Sequence, residues 1–209
     1  MCCTRGLGSE APSFKPDIQV YCDYVGEVRA RLDVVQSFID GKVTTGVDAC
    51  NVEVVFLQFR KILELIAFAS LTANKRAYAA VHKKFAEHWK AKTMLDALRK
   101  LNPDFYPVAL DPPQETAPGR KHFPQPDDGY MTIPEFVALY DAASDLMHTR
   151  NPFSNKDPTV VLYNPVQEWA KRIRRLLGWH YMQLLSGDKW IVHMPPQGDV
   201  QAWPASPTN

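Results

Sequence analysis

The chain has 209 residues, 45% of them hydrophobic, and 24 Lys+Arg against 23 Asp+Glu give a net charge of +1. That length and composition can bury one substantial core, and the charge balance excludes attraction of the whole molecule to nucleic acid or anionic lipid, so electrostatic recognition has to come from a local patch. Cys2, Cys3, Cys22 and Cys50 form no C-x-x-C pair, and no segment reaches the roughly 20 apolar residues that cross a bilayer. The expectations are a cytoplasmic chain with free thiols, no metal site, no cofactor and no membrane contact.

Residues 1–16 are rich in Gly, Ser and Pro and read as a loose arm, leaving 17–209 as a single helical domain. From Asp17, the apolar residues Val20, Tyr24, Val28, Leu32, Val35, Phe38 and Ile39 recur at three- and four-residue steps up to Gly41, which predicts an amphipathic helix with a glycine stop. Asp48 is placed to cap a second helix to about Thr72 that is apolar nearly all round, as the centre of a bundle requires. Its exceptions, Glu53, Arg60 and Glu64, share one stripe, and a charge there needs a partner or a polar pocket.

A third helix is expected over 75–100, and it carries the chain's principal basic surface: Lys75, Arg76, Lys83, Lys84, Lys90, Lys92, Arg99 and Lys100 outnumber Glu87 and Asp96. Residues 102–131 are too proline-rich for a helix or a central strand and read as a long exposed loop. Thr132-Ile133-Pro134-Glu135 has the capping-box form and opens a fourth helix ending near Met147 and His148. Asn164-Pro165-Val166-Gln167 repeats that logic for a fifth, through Trp169, Ile173, Leu176, Leu177 and Tyr181 to a stop at Ser186-Gly187. Residues 189–204 read as a short C-terminal β-hairpin. The fold class expected is therefore mostly α, a single-domain bundle of about five helices with that hairpin attached.

Ser144 to Phe153 is the densest polar cluster, and within it His148 could act as acid or base, Arg150 could hold a phosphate and Asn151 could orient either. The same three residues also suit a helix C-terminus, where basic groups favour the dipole and Asn before Pro152 terminates the helix. The basic helix offers a second surface: Lys83, Lys84, Lys90 and Lys92, joined by Lys171, Arg172, Arg174 and Arg175, could neutralise phosphates. A solvated lysine-rich face explains the same pattern.

Phe59-Arg60-Lys61-Ile62-Leu63-Glu64-Leu65-Ile66 on a central helix, with Leu146-Met147-His148-Thr149-Arg150-Asn151-Pro152 at the end of a later one, resembles the HEPN superfamily of helical domains over roughly residues 17–185. The resemblance implies an RNA-cleaving or RNA-binding domain of bacterial defence or toxin–antitoxin systems. Catalytic members place an arginine four to six residues before the histidine, whereas here Arg150 follows His148 and positions 141–143 are Asp141, Ala142 and Ala143. The expectation is accordingly a non-catalytic HEPN-like interaction module, with Arg60, Glu64, His148, Arg150 and Asn151 as polar site or structural clasp. A metal-independent ribonuclease, with His148 as acid/base, and a nucleic-acid-binding accessory protein are the alternatives. Partners of these readings are a protein, an RNA or a second copy of the chain.

Overall fold

A computed structural model describes residues 17–75, 91–147 and 164–205. Among them run helices α1 (Asp17–Ile39), α2 (Asp48–Ala73), α3 (Ala91–Leu101), α4 (Ile133–Met147) and α5 (Val166–Gly178). Six short strands accompany them: β1 (Val108–Ala109), β2 (Gln114–Ala117), β3 (Arg120–His122), β4 (Trp179–Gln183), β5 (Lys189–His193) and β6 (Gln201–Ala205). The chain is thus mostly helical with a small amount of antiparallel sheet.

Helix α1 buries Tyr21, Val25, Val28, Leu32 and Val35, steps of four and three that hold one stripe against the core. The stripe starts one residue later than expected, because Val20 and Tyr24 are only half-buried while Tyr21 and Val25 face inward. As its composition demands, α2 is the central helix: it packs on α1, α3 and α4 and contributes Phe56, Phe59, Ile62 and Leu63, all inaccessible to solvent. Each such side chain stabilises the fold by about 1.5–3 kcal/mol through burial alone.

Two helix starts differ from expectation. Asp48 lies inside the first turn of α2, whose N-cap is Val47 without a side-chain bond. Asn51 takes over instead, its Oδ1 accepting from the Thr45 backbone N–H at 2.7 Å and the Thr45 hydroxyl at 2.9 Å, so the loop is tied to the helix from within. At α5 the N-cap is Pro165, again without a side-chain bond. The capping box of α4 does form, with the Thr132 N–H donating to Glu135 Oε2 at 2.9 Å and Glu135 N–H reaching back to the Thr132 hydroxyl.

The larger correction is at the end of α5. The helix stops at Gly178 and the chain continues as strand β4, where a helix to Ser186-Gly187 was expected. Glycine weakens helix propagation, and the Trp179–Gln183 segment then alternates, with His180 and Met182 buried and Trp179, Tyr181 and Gln183 half-buried. Neighbouring segments take up the freed carbonyls: Met194 N–H donates to Gly178 O at 2.9 Å and Leu110 N–H to Trp179 O at 2.7 Å. The C-terminal hairpin β5–β6 is present, but as half of a four-stranded antiparallel sheet of order β1-β4-β5-β6.

The proline-rich excursion supplies β1, an edge strand of that sheet, and the separate hairpin β2–β3. Gly119, at φ +75°, closes that hairpin after Pro118, the position where a Pro-Gly turn needs a residue without Cβ. One contiguous apolar cluster joins α1 to α5 with the inner sheet face, where His180, Met182 and Val192 are inaccessible.

Candidate functional site

Arg60 sits on the face of α2 that meets α4, three-quarters buried, and each of its three guanidinium nitrogens is engaged. Nε donates to Glu64 Oε1 at 3.2 Å, one Nη to the Ser144 hydroxyl at 2.6 Å and the other to the Tyr140 hydroxyl at 3.0 Å. The guanidinium carbon also lies 4.7 Å from the centroid of the Tyr140 ring, within cation–π range. Ser144 in turn donates to the Tyr140 carbonyl at 2.7 Å, and Lys61 approaches Glu64 at 3.5 Å. The arrangement clamps α2 to α4 and neutralises its own charge.

Of the residues expected at the site, Arg60 and Glu64 are thus brought together, with Tyr140 and Ser144 as their partners across the helix pair. His148, Arg150 and Asn151, like Lys83, Lys84 and Lys90, lie outside the described residues, and of Lys92 only its place on α3 is described. The three arginines of α5 are committed to ion pairs and do not form an open phosphate-binding surface, while Lys171 stays largely exposed. Arg172 bonds Glu135 at 2.7 Å and Glu168 at 3.0 Å, Arg174 bonds Asp33 at 2.9 Å, Arg175 bonds Asp111, and Lys171 lies 3.8 Å from Glu168. These pairs dock α5 against α4, α1 and the excursion. Among the described residues no group of three or more His, Cys, Asp or Glu side chains converges as a ligand set for a metal ion.

Three features escaped the sequence. The first is a buried pair: the Tyr21 hydroxyl lies 2.8 Å from His180 Nε2, and His180 Nδ1 lies 3.0 Å from the Leu177 carbonyl. The carbonyl requires the proton on Nδ1, so Nε2 accepts from the phenol. Burial, partly offset by the Leu177 bond, pushes the imidazole down to about 4 and holds the phenol protonated, so the pair is neutral at physiological pH. The second is an amide knot. Asn102 Nδ2 donates to Asn74 Oδ1 and to the Gln183 carbonyl, both at 3.0 Å, and Asn74 Nδ2 donates to Ser70 O at 2.9 Å, joining the ends of α2, α3 and β4.

The third feature is the outer face of the four-stranded sheet. Val108, Tyr181, Ile191 and Trp203 are successive register partners across β1, β4, β5 and β6. Beside that row Trp179 stacks on His193 with centroids 3.8 Å apart and planes at 9°, and Trp203 lies nearly parallel to Trp179 at 6.2 Å. Phe123 touches Trp179 from the end of the β2–β3 hairpin, at 5.6 Å, and Lys189 Nζ stands 4.3 Å over the Tyr181 ring. Alternation in β4 was the available signal for this face, and it was absorbed into a helix.

No protein-family model, no curated protein and no solved structure matches this chain. Among the described residues, no helix is long and apolar enough to cross a membrane.

Proposed function

We propose that the chain is a non-catalytic HEPN-like helical binding module, acting in bacterial defence or stress response, with the Arg60 cluster as its structural clasp. The supporting observation is the state of Arg60: every guanidinium nitrogen already donates within the protein, to Glu64, Tyr140 and Ser144. An arginine dedicated to a phosphate commits its guanidinium to the ligand, whereas each nitrogen of this one holds a contact within the α2–α4 pair. The order of the motif, with Arg150 after His148, supports the same reading.

The reading is tested by incubating the purified chain with structured and unstructured RNAs under metal-free and magnesium-containing conditions. Intact RNA is expected throughout. Cleavage that disappears in His148→Ala would overturn the reading in favour of the ribonuclease alternative.

A further inference from the structure

We infer that the outer face of the β1-β4-β5-β6 sheet is a docking platform for a single-stranded polynucleotide, gripped through its bases and phosphates. The inference names a partner for the proposed binding module and rests on that reading only to this extent.

Aromatic side chains on the solvent side of a sheet are unusual unless something covers them, because a two-sided sheet ordinarily alternates apolar-in and polar-out. Here the inner side is already satisfied by His180, Met182 and Val192, yet the outer side presents Trp179, Tyr181, Ile191 and Trp203. Trp203 is 45% exposed on the edge strand β6. Its ring is within 11° of parallel to Trp179, but Trp179 is already stacked on His193 and touched by Phe123, so the exposed Trp203 supplies the open π-face on which a base can stack.

The charge on this face is complementary to a phosphate chain. Phe123 rests on Trp179, which brings the exposed run Arg120-Lys121-His122 of β3 to the border of the aromatic patch. Arg120 and Lys121 make no ion pair among the described residues, in contrast to Arg172, Arg174 and Arg175 on α5. Lys189, on the platform itself, is held over Tyr181 and likewise pairs with no acid there. An open indole face bordered by cations that make no ion pair among the described residues suits a single strand better than a duplex, whose bases are already stacked on each other, and better than an apolar protein surface, which would leave the cations buried without partners. Contact through base faces and phosphates makes no use of the sugar.

The test is fluorescence anisotropy of the full chain with a labelled short single-stranded RNA, its DNA counterpart and the corresponding duplex, over a range of salt concentrations. Expected are RNA and DNA affinities within about threefold of each other and weaker duplex binding. Three phosphate contacts give a slope of log K against log salt near about −2. Trp203→Ala should weaken binding by about tenfold or more and Trp203→Phe should largely restore it. Arg120→Gln with Lys121→Gln should bring the slope to about −0.7. Melting of each variant is followed to confirm that the fold persists, and the Arg120→Gln/Lys121→Gln pair on the exposed strand β3 carries the test if Trp203→Ala does not fold. Absence of binding, binding indifferent to both sets of variants, or dimerisation lost in Trp203→Ala without any oligonucleotide binding would each overturn the platform. Cleavage of the RNA probe would instead remove the non-catalytic reading and leave the platform standing or falling on the same variants with the DNA probe.

Discussion

A single buried imidazole makes the fold sensitive to acid. His180 has a folded pKa near 4 against an ordinary value of 6.5, so between those limits the unfolded chain binds a proton that the folded chain refuses. The contribution of the neutral pair is complete above pH 6.5 and is lost progressively as pH falls towards 4, by at most about 3 kcal/mol. Urea midpoints measured across that window should fall with acidification, and His180→Gln, although less stable at neutral pH, should show a shallower fall. Ser70 makes the opposite case. Its hydroxyl is fully buried in α2 and has no hydrogen-bond partner among the described residues, so with respect to them it carries a desolvation cost without compensation. Ser70→Ala should leave stability unchanged or raise it by up to about 1 kcal/mol by chemical denaturation; a loss of similar size would show that the hydroxyl finds a partner in solution.

At the scale of elements, the α2–α4 clasp is the feature whose energetics are most directly measurable. Truncating Arg60 to Ala takes its partner from the Tyr140 hydroxyl and from a half-buried Glu64, while Ser144 keeps its bond to the Tyr140 carbonyl, and should cost about 1–3 kcal/mol. A cycle of Arg60→Ala and Tyr140→Phe should show coupling of about 0.5 kcal/mol or more, and additive losses would mean that the contact contributes nothing as a pair. Half of this clasp was legible in the sequence, because Arg60 and Glu64 stand at i,i+4 on a helix whose other faces are apolar. The other half was not: Tyr140 and Ser144 lie 80 and 84 residues away, and Tyr140 is equally at home in a core stripe. The same distinction separates the elements. Helix α2 and the Thr132 capping box are specified by local pattern. The end of α5 is decided by contacts that no local pattern reveals, since Trp179 to Gln183 fits either a helix face or a strand until Leu110 and Met194 supply strand partners.

For the whole molecule, the C-terminal strands close the core. Val192 and Met194 are buried against the helices, and Trp190 meets Tyr21 edge-on at 5.8 Å. A chain truncated after Gly187 should therefore lose the shelter of the Tyr21–His180 pair, bind a hydrophobic dye and unfold without a sharp transition; cooperative unfolding of that truncation would show the strands to be an accessory. The join between α5 and β4 has a related effect on what the molecule can tolerate. Gly178 ends one periodicity and Trp179 begins another with no connecting loop, so the inward turn of Leu176 and Leu177 sets which side of β4 is inward. One residue inserted at that seam would exchange the two sides of the strand, sending Trp179 and Tyr181 inward and His180 and Met182 out, unless the helix rotated by about 100° to compensate. The seam works as a phase lock: variation in this molecule can lengthen the Pro118 turn or the loop after Met194, but at Gly178 it is confined to substitution.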